Sequence, residues 1–424
     1  MRSPLLLLLA ALGTPTTLAA LDNGHALTPP MGWNPWNCFQ GGTDDRTARG
    51  IADAFVSSGM KDVGYTWVNL DDYWFPKQGH KRSTPSSREA AMPRDADGNL
   101  VVDTKKFPAG MKALGDYVKS KGLRFGMYLR PDEVLGTEAR DLKQMTDWGM
   151  EYLKLDMPPD HLYWPFREVL LQVGKETGKP LLYSIHQDRA DLDSFELANI
   201  WRTSGDIFPW WESVTNCFYT VVGREAYAGP GGWNDPDMLQ IGNGRKAKDG
   251  NTPLGPAEDR SHMGLWCIAA APLIAGNDVR KMTKEVRDVL CNKDAIAIDQ
   301  DPLGIQGFIV KRDGRGEIWA KPLQNGDVAV LLHNRGKETA TVAITWKELG
   351  LADGVTAREA WSAQDLGKLD TGYSCELAAR DCHLLRLSGV KRLPQADKAL
   401  IDATLSHPSP WWGDLKDKKT YERK

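Results

Sequence analysis

Short apolar runs alternate with longer amphipathic stretches between about residues 28 and 305 of this 424-residue chain. This alternation is typical of repeated βα units, in which each strand is followed by a helix. The apolar runs predict eight strands at 31–33, 65–70, 124–129, 151–155, 180–184, 199–202, 231–234 and 265–270. Eight such runs favour an α/β fold of the closed (β/α)8 or TIM barrel type over an open doubly wound sheet.

Helical periodicity fills several of the intervals between these runs. The clearest examples are residues 43–58 and 110–121, and Gly122 follows the second where a helix C-cap is expected. A long polar connection joins residues 74 and 107, with a turn at 95–99. Because long loops on the carboxyl face of a barrel shape substrate pockets, this connection is a candidate pocket wall.

The hydrophobic pattern changes after residues 301–304. Short alternating runs separated by polar turns occur at 308–310, 317–321, 328–333, 340–345, 358–360 and 383–387. They predict a small antiparallel β-sandwich domain. We therefore expect a catalytic barrel over residues 21–305, a β-domain over 306–388 and a poorly patterned, loosely ordered polar tail over 389–424.

The first twenty residues are typical of a secretory signal peptide. Arg2 provides the positive charge, residues 5–12 the apolar core, and residues 17–20 a cleavage region of small side chains. The apolar core is too short to span a bilayer, and no cysteine follows the cleavage region as a lipid anchor would require. The sequence predicts a secreted or periplasmic protein.

Composition excludes several classes of partner. The net charge of −3 is close to neutral, and no basic block occurs before the last residues, so neither nucleic acid nor a membrane surface is indicated. Oligomeric state is not readable. The six cysteines are too scattered for a disulfide framework or a zinc site, although Cys375 and Cys382 are close enough in sequence to bridge a hairpin in an oxidising compartment.

Four groups of carboxylates fall at the ends of predicted strands. They are Asp71 with Asp72, Asp156, Asp206, and Asp235 with Asp237. Strand alternation places Tyr152, Lys154 and Asp156 on one side of their strand, so that Lys154 helps to keep Asp156 ionised. Asp206 lies on a looser Ser-Gly turn, where a neighbouring carboxylate favours its protonated form.

Several aromatic residues accompany these carboxylates, namely Trp33, Trp36, Trp74, Tyr128, Trp201 and Trp233. Aromatic faces beside a few aspartates suit the apolar face and the hydroxyls of a sugar ring. Two carboxylates across a glycosidic bond hydrolyse it, one attacking or activating water and the other donating a proton. Arg202 bonds a substrate hydroxyl or pairs with Asp206, and the sequence leaves both readings open.

A metal hydrolase is the minor hypothesis. The aspartate pairs offer oxygen ligands and His186 a nitrogen, but the chain has no His-x-His or His-x-x-x-His spacing. We therefore expect neither a metal nor another cofactor.

The ordered set of motifs resembles glycoside hydrolase family 27, the α-galactosidase and α-N-acetylgalactosaminidase family. The motifs that carry this resemblance are residues 30–34, 69–72, 126–128, 152–156, 201–206, 231–238, 265–273, 277–278 and 299–304. The resemblance extends to about residue 388 and implies a barrel with a C-terminal β-domain and a metal-free, retaining double displacement that releases terminal galactose.

The resemblance also implies residue roles. Asp156 would be the nucleophile and Asp206 the acid/base. The implied substrate-binding residues are Trp33 on the sugar ring, Asp71 and Asp72 at C4 and C6, Lys154 at C3 and C4, Arg202 at C2, and Tyr128 and Asp237 near the reacting centre. For retention, the two carboxyl groups should lie roughly 5–5.5 Å apart.

Three segments depart from the family pattern. Ile185-His186-Gln187 replaces the Cys-Glu-Trp segment that reads the 2-substituent, which makes His186 a further candidate substrate-binding residue. Residues 130–132 and 157–159 replace a cysteine pair. The alternatives are therefore the same chemistry on a β-L-arabinopyranoside or an α-N-acetylgalactosaminide, or a non-catalytic galactoside-binding protein on the same scaffold. Unaltered α-galactoside hydrolysis is favoured, because Asp71, Asp72 and Asp237 are retained.

Overall fold

The structure is a computed structural model that describes residues 21–76, 92–156, 162–186, 194–244, 251–352 and 354–390. The expected signal peptide (1–20) and nearly all of the expected polar tail lie outside these ranges. Within them, no helix has both the length and the apolar character that a membrane crossing requires.

Eight parallel strands form one sheet in the order β7-β6-β5-β4-β3-β2-β1-β8. The strands are β1 (Met31–Trp33), β2 (Trp67–Asn69), β3 (Arg124–Leu129), β4 (Met150–Leu155), β5 (Leu182–Ile185), β6 (Ile200–Arg202), β7 (Trp233–Asp235) and β8 (Leu273–Ala275). Just after β7, the N–H of Leu239 donates to the carbonyl of Ile274 at 2.8 Å, and Leu239 pairs with Ala275 as a parallel bridge. This contact joins the two ends of the sheet, and the barrel prediction is confirmed.

Helices surround the barrel. They are α1 (Trp36–Phe39), α2 (Asp45–Ser57), α3 (Gly110–Ser120), α4 (Glu138–Asp147), α5 (Tyr163–Thr177), α6 (Ser194–Leu197), α7 (Trp211–Phe218), α8 (Pro256–Ala269), α9 (Lys284–Leu290) and α10 (Lys293–Asp299). Helix α2 shows why such segments are helical: the Asp44 carboxylate caps its first turn by accepting the Thr47 N–H at 2.8 Å. Its buried face includes Ala48, Ile51 and Phe55, at the spacing that an amphipathic helix requires.

The eighth strand was predicted wrongly. Residues 265–270 lie at the end of helix α8, and the strand itself is Leu273–Ala275. Residues 261–270 are all buried, because α8 packs between the barrel and the C-terminal sheet. A short, fully buried apolar run has the same appearance in a helix and in a central strand, so periodicity could not separate the two.

The C-terminal residues form an antiparallel β-sandwich, as predicted. A six-stranded sheet in the order β14-β13-β16-β11-β10-β9 faces a two-stranded sheet of β12 and β15. The strands are β9 (Phe308–Asp313), β10 (Gly316–Pro322), β11 (Val328–Asn334), β12 (Ala340–Thr345), β13 (Val355–Glu359), β14 (Gln364–Leu369), β15 (Gly372–Leu377) and β16 (Cys382–Ser388). Strands β14 and β15 were missed because most of their residues are exposed or half-buried, so they lack an apolar alternation.

A buried charge cluster joins the sandwich to the barrel. The Glu317 carboxylate on β10 accepts hydrogen bonds from Tyr219 OH at 3.0 Å, Trp319 Nε1 at 2.7 Å and Arg312 Nη2 at 2.6 Å. His333 on β11 lies near this carboxylate, and its ring packs edge-on against Trp211 at 5.6 Å. Neither ring nitrogen of His333 has a hydrogen-bond partner among the described residues.

The cysteines are all free thiols. Cys375 lies on β15 and Cys382 on β16, and these strands belong to different sheets. The bridged hairpin that the sequence allowed is therefore absent, because the two strands do not pair with each other.

The connection between residues 74 and 107 forms the predicted turn. The N–H of Asp95 donates to the Asn99 carbonyl at 3.0 Å, and Arg94 pairs with Leu100 across the turn. Residues 77–91 of this connection lie outside the described ranges, so its role as a pocket wall stays a prediction.

Candidate active site

Five of the eight barrel strands are each followed by an ionisable side chain at the carboxyl end. Asp71 follows β2, Asp156 follows β4, His186 follows β5, Asp206 follows β6 and Asp237 follows β7. In barrels of this type, chemistry takes place at this end. The structure thus places the residues predicted at separate points of the sequence on one face of the barrel.

Side chains along strand β4 alternate between the inside of the barrel and the core outside it. Tyr152 and Lys154 line a cleft at the centre of the barrel, whereas Leu153 and Leu155 belong to the hydrophobic core between strands and helices. The cleft is also lined by Asn34, Asn69, Ser184, Ile185, His186, Arg202, Asp235, Asp237, Met238 and Ile274.

Asp71 and Lys154 form a buried ion pair. Lys154 Nζ lies 2.7 Å from Asp71 Oδ2, and Asn34 Nδ2 donates to the same oxygen at 2.7 Å. Burial alone would lower the pKa of Lys154, but the charges of Asp71 and Asp156 raise it above its usual range. The direct partner of Lys154 is therefore Asp71, although its positive charge also acts on Asp156.

His186 is in direct contact with Asp156. Its Nδ1 forms a short hydrogen bond with Asp156 Oδ1, and only 9% of the His186 side chain is exposed. Burial raises the pKa of Asp156, but His186, followed by Lys154 and Arg202, outweighs burial and holds that pKa well below its ordinary value. Asp156 is therefore ionised at any ordinary pH, as a carboxylate nucleophile must be.

The same imidazole ring also faces Asp206. His186 Nε2 lies 3.9 Å from Asp206 Oδ1, and Arg202 Nη2 lies 3.6 Å from that oxygen. The Tyr163 hydroxyl donates to the backbone carbonyl of His186 and helps to fix its position. Asp156 and Asp206 thus each lie near one nitrogen of the same ring. The two side chains differ in solvent exposure: the Asp206 side chain is 54% exposed, and the Asp156 side chain is 13% exposed.

Asp237 positions the loop that carries Asp206. Asp237 Oδ2 pairs with Arg202 Nη2 at 2.9 Å and accepts the Ile207 N–H at 2.8 Å. The φ angle of Asp237 is 81°, a left-handed value that costs free energy for a residue with a side chain. Its N–H and carbonyl are both held, by Asp235 Oδ1 and Trp266 Nε1, each at 2.8 Å. Several bonds therefore impose a strained backbone beside the cleft.

Four predicted substrate-binding residues, Trp33, Asp71, Asp72 and Tyr128, are not among the residues that line the cleft, and neither are the predicted catalytic residues Asp156 and Asp206. Trp33 is fully buried and donates from Nε1 to the Asn277 carbonyl at 2.9 Å. The Tyr128 ring lies 5.5 Å from Lys154 Nζ, and the half-buried Asp72 accepts the Tyr73 N–H at 2.7 Å. Their roles in binding sugar stay predictions.

Some cleft residues were not predicted as site residues. Asn34, Asn69 and Ser184 each point inward from a strand or its end, and the same alternation that selected Lys154 could have identified them. Asp235 was noticed only as a strand-end carboxylate. Burial raises its pKa to about 6, although Arg202 acts in the opposite direction.

The carboxylates of the site are matched with cations from the chain itself. Asp71 pairs with Lys154, and Asp237 pairs with Arg202. Across the described ranges, the side chains of His, Cys, Asp and Glu form no group of three that could hold a metal ion.

The three departures from the family pattern lie only partly within the described ranges. Arg130 Nη2 pairs with Asp132 Oδ2 at 2.8 Å in the turn after β3, so this segment carries an internal ion pair where a cysteine was expected. Residues 157–159 and 187–189 lie outside the described ranges.

Comparison with known proteins gives matches over most of the chain. A family model described as alpha galactosidase A matches residues 28–301, and one described as the alpha galactosidase C-terminal beta sandwich domain matches residues 313–387. An alpha-galactosidase of Cyamopsis tetragonoloba is 37% identical over 387 residues, covering 87% of this chain and 88% of that protein. An alpha-galactosidase of Coffea arabica is 41% identical over 391 residues, covering 88% and 97%.

A solved structure agrees with the sequence matches. The crystal structure of alpha-galactosidase I from Mortierella vinacea superposes with a TM-score of 0.77 at 28% identity, covering 89% of this chain and 100% of that protein.

Proposed function

The chain belongs to the alpha-galactosidase family, whose members are glycoside hydrolases acting on galactosides, and we propose that it removes terminal α-linked galactose by a retaining double displacement. The resemblance inferred from the sequence motifs is thereby confirmed at the level of family and glycosidase activity. The retaining mechanism, the exo action and the choice of sugar are the parts proposed here.

In the first step of the proposed reaction, the Asp156 carboxylate attacks C1 of the galactosyl residue. Asp206 gives its proton to the glycosidic oxygen as the C1–O bond breaks, and the sugar becomes covalently bound to Asp156. In the second step, Asp206 removes a proton from water, which attacks C1 and frees Asp156. Two inversions leave the released galactose with its original anomeric configuration.

The observation that carries this proposal is that one His186 ring contacts Asp156 through Nδ1 and faces Asp206 through Nε2, so both carboxylates lie at the same end of the barrel. The two carboxylates differ in surroundings, as the two roles require. Asp156 is enclosed among cations that keep it ionised, whereas Asp206 is exposed toward the solvent from which water must enter.

Exo action is supported by the difference in exposure across the site. Only 3% of the Asp71 side chain is exposed, and it is paired with Lys154 at the inner end. The more open Asp206 side leaves room for the rest of a substrate. A buried, charge-matched inner end suits one terminal sugar rather than the middle of a polymer.

Arg202 retains a donor for substrate. Its guanidinium is buried, and Nε has no hydrogen-bond partner among the described residues. An orphaned buried donor is costly until a ligand satisfies it. This supports the role of Arg202 at the sugar C2 hydroxyl. The neighbouring His186 is the residue by which this chain departs from the family pattern at that position.

The stereochemistry of the product tests the mechanism. Proton NMR of early 4-nitrophenyl α-galactoside hydrolysis should show α-galactose first, with β-galactose appearing later by mutarotation. Formation of β-galactose first would contradict retention.

A parallel panel of aryl glycosides differing at C2, C4 and C5 tests which sugar the protein acts on. Faster turnover of an α-N-acetylgalactosaminide or a β-L-arabinopyranoside than of the α-galactoside would show that galactose is not the preferred sugar.

We also propose that the mature protein is exported, on the basis of residues 1–20 alone. N-terminal sequencing of protein recovered outside the cytoplasm should begin near residue 21. An intact Met1 in the cellular fraction would contradict export.

A further inference from the structure

The loop that follows Asp206 displays two aromatic side chains outward. Along this loop Ile207, Pro209 and Trp211 are buried, whereas Phe208 and Trp210 are half-buried. The two half-buried side chains lie side by side. Their rings stack with centroids 4.8 Å apart and an interplanar angle of 5°. Each ring therefore covers one face of the other, and the outer faces of the stack remain as an apolar surface.

This surface is held rigidly by its backbone. The Phe208 N–H donates to Ser213 Oγ at 2.9 Å, and the Trp210 N–H donates to the Phe208 carbonyl at 2.8 Å. At Ile207, the carbonyl accepts from Asn37 Nδ2 at 2.6 Å, which ties the loop to helix α1. A preorganised aromatic surface binds a ligand with little loss of conformational entropy.

The position of the pair follows from the proposed reaction. Asp206 protonates the glycosidic oxygen, so the leaving group has to pass beside Asp206. In the proposed reaction, the galactosyl ring occupies the enclosed end of the site, near the buried ion pair of Asp71 and Lys154. Phe208 and Trp210 come two and four residues after Asp206. The stacked pair therefore belongs to the same short loop as the exposed carboxylate beside which the leaving group departs.

We propose that Phe208 and Trp210 form a binding subsite for the sugar ring that directly follows the scissile bond, the leaving-group ring of an α-galactosyl oligosaccharide. The C–H groups on one face of a pyranose pack against an aromatic face, and half-buried stacked rings offer such a face. The inference rests on the proposed function and deepens it, because it assigns the part of the site that selects oligosaccharide over small galactosides.

Two substrates separate stacking from acid catalysis. Raffinose and methyl α-galactoside both have poor leaving groups and both need the proton of Asp206, but only raffinose carries a sugar ring after the scissile bond. In Trp210→Ala and Phe208→Ala, kcat/KM for raffinose should fall by about tenfold, mainly through KM, with methyl α-galactoside within about twofold of wild type. Trp210→Phe keeps an aromatic ring and should recover most of the loss.

Tyr117→Ala is the matched control, because Tyr117 is a half-buried aromatic residue on the outer helix α3. It should leave the ratio of the two substrates unchanged. An equal loss on both substrates in the loop variants would show that the loop only positions Asp206 and would overturn the subsite. Unchanged kinetics with raffinose would overturn it as well.

The proposed function is tested separately in the same series by wild-type turnover. Hydrolysis of methyl α-galactoside by wild type without any loop effect would reject the subsite and keep the function. Lack of turnover of every galactoside by wild type would reject both.

Discussion

Two histidines lie close to a carboxylate and to arginines in this protein, yet they are held in opposite ways. His186, in the barrel cleft, contacts Asp156 through Nδ1 and faces Asp206 through Nε2. His333, between the barrel and the sandwich, lies near Glu317 but has no hydrogen-bond partner among the described residues. The first is part of a polar network, and the second is packed as if it were apolar.

The difference reflects what each region requires. In the cleft, an ionised Asp156 needs opposite charge around it, because burial alone would favour its protonated form. At the interface, Glu317 already has Arg312, Tyr219 and Trp319 as partners, so His333 is not needed to satisfy it. Burial there lowers the pKa of His333 to about 4, despite the opposing charge of Glu317.

The strongest test of the cleft side is removal of its two carboxylates. Asp156→Asn should lower kcat for an aryl α-galactoside by at least about 10³-fold, and Asp206→Asn should lower kcat by a similar factor for methyl α-galactoside, whose poor leaving group needs the proton. Thermal unfolding should remain cooperative. Asp116→Asn, at an exposed position on α3, is the control and should keep full activity.

Leaving groups then distinguish the two carboxylates. Asp206→Ala should impair substrates with poor leaving groups much more than those with good ones, because only the former need the proton. Equal losses on both kinds of substrate would remove the acid role from Asp206.

Replacement of His186 is the next test in order of size. In His186→Leu the pKa of Asp156 should rise, because His186 is its strongest favourable partner. The acid side of the pH profile should therefore move to higher pH. At a fixed pH at which Asp156 is mostly protonated in the variant, activity should fall about tenfold for each pH unit by which the acid side of the profile moves. His186→Gln should restore part of the loss by keeping a hydrogen-bond donor.

His25→Gln is the control for this change in the pH profile. His25 bonds the Pro180 carbonyl at 2.8 Å, just before β5 and at the amino end of the barrel. Its replacement should leave the profile in place. An unmoved profile in His186→Leu would mean that the imidazole does not act on Asp156, and the contrast between the two histidines would then be one of packing alone.

The interface histidine should affect stability rather than activity. The pKa of His333 is about 4 in the folded state and 6.5 when unperturbed. The unfolded chain therefore binds a proton that the folded chain does not, so stability is lost as pH falls from about 6.5 toward 4. The loss in the free energy of unfolding that this histidine causes amounts to at most about 3 kcal/mol. His333→Leu should lose less stability than wild type between pH 7 and 4.5 in denaturant titrations.

His383→Asn, a change at a half-buried histidine on β16, provides the matched control and should preserve the wild-type pH dependence. If His333→Leu shows that same dependence, the acid sensitivity of the fold has another origin.

The smallest effect is expected from reducing agents. The cysteines are free, including Cys382 on β16, which pairs with His333 on the neighbouring strand β11. A thiol reductant should therefore change Tm by less than about 1 °C. A larger drop would reveal a disulfide and would add a covalent constraint to the sandwich side of the comparison.

The fold was largely accessible from sequence because the barrel strands are short apolar runs separated by longer amphipathic stretches. The runs at 31–33 and 124–129 coincide with β1 and β3. The failures have two physical causes. Helix α8 is buried all around, which removes its periodicity, and β14 is so exposed that it has no apolar pattern. Local patterns identify short buried strands and amphipathic helices, but neither a helix that is buried all around nor an exposed strand.

The sequence predicted the residues of the site better than it predicted the contacts between them. Strand ends located Asp71, Asp156, Asp206 and Asp237, since parallel strands bring their carboxyl ends together. The sequence placed Lys154 beside Asp156, but in space Lys154 pairs with Asp71, and His186 takes the place at Asp156. Pairing across strands depends on register and rotamers, which spacing within one strand does not reveal.

The central claim, that Asp156 is the nucleophile, is tested most directly by trapping the covalent intermediate. Wild-type protein treated with 5-fluoro-α-galactosyl fluoride should gain the mass of one fluorogalactosyl group. Peptide mapping should place that group on Asp156, and Asp156→Asn should not be labelled. A label on another residue, or steady hydrolysis of galactosides by Asp156→Asn, would contradict the account.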